Sequence, residues 1–502
     1  MVHRHAGGIV RHDPRCLATA EAWRPRALPR HGGQCAGLDR LSCRRQRWPD
    51  RRRRVRAQDR VQPHAQGRHV MAIVATLALL VAAVFAGCCL LLAAFVGSLL
   101  YMVVLHHRLK ERGLRREEEL LATPLPHDSE LPHVVVQIPS FNEGGVLRRG
   151  IEAAARLDWP RDKLHIQVLD DSTDETAELT RTVVAELKAK GFDIVALQRT
   201  DRSGFKGGAL HEAMQQTPHD YFAIFDVDYV PSPDFLRICM RPFFANLNWA
   251  FVQARFDFLN PHENALTEMQ MVTLDAHLGI EQATRCWAGH PLPFNGTCGI
   301  WQRAAIEAGG GWKGDTVTED LDLTYRGWVK GWRALFLTSV PVPGELPADT
   351  KTWLRQQQRW QDGFRHVGLR MVWPILRNRD ITPSSKAAAL LHLCMSLNQP
   401  VLLVGVVSGL LAGLLAPSLV PLLLTLFFVT LAWVLFCATT FLRAGHNFIR
   451  GGEMSPARFA LVLLRFVGGQ VAMLVRSLGV HINKRLNRRK PIVFDRTPKR
   501  GA

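Results

Sequence analysis

The sequence predicts a mainly parallel α/β domain carried between membrane-spanning segments. Three observations predict it. No charged residue occurs from Met71 to Leu105, and a helix needs about 20 apolar residues to cross a bilayer core. Apolar runs return after Arg379, near 387–415, 419–442 and 459–480. Between these regions, short runs rich in β-branched residues (HVVVQI, LHIQVL, DIVALQ, YFAIF) alternate with helical stretches such as VLRRGIEAAARL and ETAELTRTVVAELKAK. That alternation is the pattern of βαβ units.

Taken in order, residues 1–70 hold seventeen Arg, no Lys and five acidic residues, and so carry most of the chain's formal charge of +19. The segment has no apolar periodicity. It reads as a disordered Arg-rich stretch, as an arm for nucleic acid or anionic lipid, or as an upstream frame with synthesis starting at Met71. Residues 71–105 form an N-terminal transmembrane segment, too long for a signal-peptide core. The basic HHRLKERGLRR that follows places the next part in the cytoplasm by the positive-inside rule. Residues 106–130 read as a charged linker, 131–350 as the α/β domain and 351–380 as an amphipathic interfacial helix. Residues 381–482 read as a C-terminal membrane region and 483–502 as a basic tail. Three C-terminal crossings would put that tail on the far side from the domain. Either 387–415 breaks near Asn398-Gln399-Pro400, or one segment is re-entrant or interfacial; Arg465 and Arg476 favour a protein-packed or interfacial last segment. Ten scattered cysteines without a CxxC pair point to a reducing compartment and no disulfide framework.

Five short motifs carry chemistry. In LHIQVLDDSTDET a strand runs out into Asp170 and Asp171, where a parallel sheet collects ligands; Ser172 and Glu175 also have the spacing of a helix capping box. In RSGFKGGAL, Lys206 stands between glycines that let backbone approach an anion, although the Walker spacing is absent. In YFAIFDVDYVPSPDF, Asp226 and Asp228 leave a buried strand two residues apart, on one side, and can share a hard cation. In WKGDTVTEDLDLTYRGW, Glu319 and Asp320 stand at a helix start, where a pocketed carboxylate can act as a general base. In KTWLRQQQRWQDGFR, Gln356, Arg359 and Trp360 share one helix face, and Trp353, Trp360, Phe364, Val367 and Met371 follow an amphipathic stripe. Alone, each motif also fits a bland role: a cap, a turn, a helix start or an interfacial aromatic belt.

The order DD, K in a glycine loop, DxD, TED, QxxRW, lying between membrane segments, resembles the processive family 2 glycosyltransferases, which include the synthases of cellulose, mannan and hyaluronan. The resemblance covers about residues 130–365. DDST, GFKGGAL, FNGTCGIW, TEDLDL and QQQRW are most similar to cellulose-synthase-like glucomannan synthases and their bacterial relatives. The resemblance implies an A-type, Rossmann-like glycosyltransferase fold on the cytoplasmic face of the cell (inner) membrane. It implies that Asp170 or Asp171 contacts the donor base, that Lys206 and Arg359 lie near the diphosphate, and that Asp226 and Asp228 hold the donor through Mg2+ or Mn2+. Asp320 becomes the general base, and Glu319, Gln356, Trp360, Asn295 and Gly296 the acceptor side. The implied activity is inverting transfer of a hexosyl group from UDP-glucose or GDP-mannose to a growing β-linked glucan or mannan. A single transfer to a lipid such as diacylglycerol is the alternative. Partners are then the donor, a polysaccharide or lipid acceptor and the membrane, with no specific nucleic acid. Asn295-Gly296-Thr297 also fits a glycosylation sequon, which a cytoplasmic domain excludes. The membrane region is shorter than in cellulose synthases, and no cyclic-dinucleotide-binding domain is expected after it.

Overall fold

A computed structural model describes the backbone of residues 51–245 and 248–486 and the side chains of 68–245 and 248–478. The chain divides into two units, Met1–Arg68 and His69–Ala502. Within the first, the described backbone is helical from Arg51 on; the disorder expected for 1–70 otherwise falls, up to residue 50, outside the described residues, as does the basic tail from 487.

Seven strands form one sheet: β1 (Val134–Ser140), β2 (Leu164–Asp170), β3 (Asp193–Gln198), β4 (Tyr221–Ile224), β5 (Trp249–Phe258), β6 (Gly299–Gln302) and β7 (Arg333–Gly344), in the order β3-β2-β1-β4-β6-β5-β7. The first four strands, those expected from the β-branched runs, pair in parallel. β6 runs antiparallel to both β4 and β5, while β5 and β7 pair in parallel. Strand order reverses at β1, so a crevice opens at the carboxyl ends of β1 and β4, the usual ligand position in an open α/β sheet. Two apolar layers sandwich the sheet. Val134, Val136, Ile138, Ile166 and Val168 face one side; Val135, Leu169, Phe222 and Ile224 face the other.

The described residues contain four helices long and apolar enough to cross a membrane: Arg68–Leu121, Pro383–Leu415, Pro417–Arg450 and Pro456–Leu478. The first is continuous, and its helix runs to Leu121, through much of the segment expected as a linker. Glu117 explains why the helix persists there. Its buried carboxylate accepts from Thr338 Oγ1 at 2.8 Å and from Ser339 N and Oγ at 2.9 and 2.7 Å, docking the helix on β7. Glu117→Ala leaves these donors unpaired and is expected to cost about 1–3 kcal/mol, read as a lower melting temperature in detergent. The second span is interrupted by a 3₁₀ turn at Met395–Leu397, just before Asn398. Arg465, in the last span, pairs with Glu268 at 3.8 Å, which gives the charge a protein partner.

Candidate active site

The carboxyl ends of β1, β2 and β4 lead into one cavity of ≈ 230 Å³, lined in part by Ser140, Asp171, Lys206, Asp226, Asp228, Asn295, Gly296, Glu319, Asp320, Gln356, Arg359 and Trp360. Nine of these twelve residues come from the five motifs; Ser140, Asn295 and Gly296 lie outside them, and the sheet brings all twelve together.

β2 ends at Asp170, and the two aspartates then part ways. Asp171 reaches the cavity wall, where Arg199 grips both its oxygens, Nε at 2.9 Å and Nη2 at 2.6 Å. Asp170 lies beneath, buried. Its Oδ1 accepts from Ser172 N at 3.0 Å, and its Oδ2 has no hydrogen-bond partner among the described residues. The capping box expected from Ser172 and Glu175 does not form. The helix starts at Thr176 with Glu175 as an N-cap that makes no side-chain cap bond, because Ser172 Oγ accepts from Asn142 N at 2.8 Å instead.

The glycine loop does what its composition suggests. Gly204 adopts a left-handed φ of 71°, and the Phe205–Gln215 helix begins immediately after it. This turn points Lys206 at Asp226 Oδ1 (2.5 Å) and at the carbonyl of Gly296 (2.8 Å). Burial works against the ammonium, but Asp226 and Glu319 outweigh it and hold the Lys206 pKa above its ordinary value.

β4 ends at Ile224, so strand alternation does not set the directions of Asp226 and Asp228, contrary to the expectation from spacing. A turn does, closed by Tyr229 N donating to Asp226 O at 3.0 Å. The Asp226 side chain remains 39 % exposed toward the cavity. Asp228 is buried, with Oδ2 accepting from Glu345 N at 3.2 Å. Oxygen-only donors suit a hard divalent cation, and the ammonium already drawn to Asp226 marks the spot as one that attracts positive charge. These two carboxylates could hold such an ion.

Glu319 and Asp320 open the Glu319–Trp328 helix. Glu319 is buried, and Asp320 is half-buried beside it. Asp320 Oδ1 accepts from Leu321 N at 2.8 Å. Burial, then the neighbouring Glu319, push the Asp320 carboxyl up to about 7; burial also raises Glu319. A carboxyl group tuned this way suits proton transfer near neutral pH. Arg359 reaches in from the Thr350–Arg377 helix. Burial lowers its pKa, opposed by the charges of Glu319, Asp226 and Asp320.

Two glycines set how closely these pieces approach. Gly296 has φ 84°, and a Cβ there would lie 3.0 Å from Asp320 Oδ2. Gly363 faces Thr318, the residue before Glu319, and a Cβ there would lie 2.2 Å from Thr318 Cγ2. Gly363→Ala therefore has to push the helix bearing Arg359 and Trp360 away from the one bearing Asp320. Overpacking of this kind costs about 1–3 kcal/mol, and misplacement of about an ångström can cost 10²-fold in rate. Thermal melts and single-turnover rates of Gly363→Ala read the two effects separately.

The segment expected as a helix over 351–380 is helical over Thr350–Arg377 and capped by Asp349, which accepts from Thr352 N at 2.9 Å. Trp353, Val367 and Met371 of its apolar stripe are buried. Beyond Trp360 and Asp320 a second cavity of ≈ 400 Å³ continues past Asn295, Gln356 and Phe364 to Met395, Phe466 and Met473 on the membrane helices. Motif reading did not find Arg199, and it gave no role to Arg202, the first residue of RSGFKGGAL, whose guanidinium stacks 3.3 Å over Phe141 at the cavity wall. Nor did it find Glu345, paired with Arg149 at 2.5 Å.

Residues 132–363 match the family described as Glycosyltransferase like family 2. The chain carries a family 2 glycosyltransferase domain. That domain is built on the seven-stranded mixed sheet, in agreement with the α/β class expected from the sequence. The chain is 39 % identical over 306 residues to "Probable glucomannan 4-beta-mannosyltransferase 10" of Arabidopsis thaliana, covering 59 % of this chain and 55 % of that one. It is 42 % identical over 267 residues to "Glucomannan 4-beta-mannosyltransferase 2" of the same plant, covering 51 % and 50 %. The chain thus spans about half the length of the curated relatives it matches. A mannosyltransferase from Pyrobaculum calidifontis, solved in complex with GDP-Man and Mn2+, aligns with this chain at 20 % identity and a TM-score of 0.46, covering 73 % of this chain and 99 % of that one.

Proposed function

We propose that the protein is an inverting hexosyltransferase that adds sugar from a nucleotide-sugar donor to a growing β-linked polysaccharide at the cytoplasmic face of a membrane. The printed names of its relatives favour GDP-mannose over UDP-glucose and a β-mannan product. The observation that carries the reading is the junction of two cavities at Asp320 and Trp360. One cavity holds the acidic and basic residues suited to a donor; the other continues to the membrane helices.

In this reading Asp171 faces the donor base, and Asp170 supports it from below. Lys206 and Arg359 face the diphosphate. Asp226 and Asp228 would hold Mg2+ or Mn2+, which supplies positive charge to the leaving diphosphate. Trp360 lies under the acceptor sugar, and Gln356, Glu319, Asn295 and Gly296 line its approach. Asp320 takes the proton of the acceptor hydroxyl. That oxygen bonds to the anomeric carbon from the face opposite the departing nucleoside diphosphate, so an α-linked donor yields a β-linkage. Fixed positive groups in a water-poor cavity stabilise the leaving group more than the same groups in water.

The test uses purified protein in nanodiscs with radiolabelled GDP-mannose or UDP-glucose and Mg2+ or Mn2+. Label in ethanol-insoluble polymer that a β-mannanase digests is the expected result. Label confined to the organic phase would replace the polysaccharide reading with a lipid acceptor, and transfer from UDP-glucose alone would overturn the donor assignment.

A further inference from the structure

At the other end of the sheet lies a cluster that the transfer reaction does not use. His133 directly precedes β1, His165 is the second residue of β2, and His219 lies two residues before β4. Because β1 is flanked by β2 and β4, these side chains meet at the strands' N-terminal ends. Seven residues of strand rise about 23 Å, so β1 separates the cluster from the cavity at its carboxyl end. One ring nitrogen from each histidine lies within 4.8 Å of the others. His133 Nδ1 and His165 Nε2 are 2.8 Å apart. His165 Nδ1 is 2.5 Å from Asp193 Oδ2 on β3. The rings stack with centroids 4.2 to 5.1 Å apart. Arg303 is turned to the carbonyls of His219, Met214 and Thr217 and does not fill the space as a ligand would.

We propose that His133, His165 and His219 bind a divalent cation of the zinc class, with Asp193 orienting His165. A carboxylate that accepts from one imidazole nitrogen fixes the other as the ligating atom, the common arrangement behind metal-bound histidine. Zn–N bonds of about 2.0–2.1 Å in a tetrahedral site put ligand nitrogens roughly 3.4 Å apart, so binding moves His133 Nδ1 and His165 Nε2 apart from 2.8 Å and brings the His219 nitrogen to the same spacing. It replaces the His133–His165 hydrogen bond and turns the rings out of their stack. All three side chains are partly exposed, which leaves room for that turn and for a water as the fourth ligand. Imidazole donors select zinc, nickel or copper, whereas the oxygen donors of Asp226 and Asp228 suit magnesium or manganese, so the two sites take different ions. The ion would tie β2, β1 and β4 together far from the chemistry, as a structural centre.

The test incubates the full chain in detergent with Zn2+ and excess Mg2+, removes free metal by desalting, and measures retained zinc by mass spectrometry. The same is done for His165→Gln and His219→Gln. The expected result is one equivalent in the wild type and at least tenfold less in each folded variant, with folding checked by circular dichroism. The chain has 20 histidines, so the variants decide the location: wild-type zinc content in both would overturn the site, as would less than a tenth of an equivalent in the parent. Should the variants fail to fold, Co2+ loading of the wild type decides. An intense tetrahedral visible band supports the site, and a weak octahedral spectrum removes it. Neither readout depends on the donor or acceptor, so failure here leaves the transferase reading untouched.

Discussion

Asp320→Asn is expected to lower kcat by about 10²–10⁴-fold, the usual worth of a positioned general base, while donor binding persists. Asn has nearly the same shape, and its side-chain oxygen can still accept from Leu321 N as Asp320 does, so the helix start should survive. What disappears is the ability to take a proton. The pH profile tests the same point from another side. Burial puts the Asp320 carboxyl at about 7, and the base works only when ionised. The wild-type kcat/KM should therefore rise with pH through that region, and the limb should vanish from the variant's residual rate. Stability moves the opposite way. A carboxyl group whose folded pKa is raised favours the fold while protonated. Its contribution is complete below the unfolded value of about 3.9 and is lost as pH rises through about 7. Asparagine stays neutral throughout. The variant should thus melt higher than the wild type at pH 8, with the gap narrowing toward pH 5. Full activity in Asp320→Asn, or a wild-type profile flat between pH 6 and 8, would remove Asp320 from the role of base.

Much of this site could be read before any coordinates, because each motif announces itself locally. A strand that ends in Asp170-Asp171, a lysine among glycines, and paired acids at the start of a helix are all patterns of neighbours in sequence. The strands β1 to β4 were legible for the same reason, since β-branched runs bounded by turn residues mark a buried parallel strand. β6 was not. Its four residues, Gly299–Gln302, lie in FNGTCGIW among glycines and polar residues with no apolar run to mark a strand, and their place is set by pairing with β4 and β5. The residues missed at the cavity share a cause as well. Arg199 matters because it meets Asp171, 28 positions away, and Glu345 because it meets Arg149, 196 positions away. Nothing near either residue signals the partner. The capping box failed in the reverse direction. Ser172 and Glu175 have the local spacing, but a backbone N–H from the loop after β1 claims the hydroxyl. The histidine cluster likewise has no local spacing, being assembled only when three strands align.

Arg359→Ala is expected to cost about 10²–10³ in kcat, comparable to the loss of a preorganised charge-stabilising donor in other enzymes. Arg359→Lys should recover only part of it. Lysine keeps the charge but presents a point rather than a planar fork, and diphosphate oxygens leaving from one direction are best met by the fork. The buried setting predicts a second effect. Arg359 offsets the charges of Glu319, Asp226 and Asp320; without it those carboxylates face one another with Lys206 as their remaining close cation. Like charges crowded in a partly buried cavity hold protons more tightly. The acidic limb of kcat/KM in Arg359→Ala should therefore shift to higher pH, and a lysine at the position should move it back. A loss of rate with no movement of the limb would mean that Arg359 acts on the donor alone and not on the electrostatics of the base. Removing one partner from a buried ionic group also destabilises, by about 3–5 kcal/mol in other proteins, so melting curves must accompany the kinetics. The two losses separate by condition: the destabilisation should shrink as pH falls and the carboxyls protonate, whereas the missing stabilisation of the leaving diphosphate persists at every pH where the base is ionised.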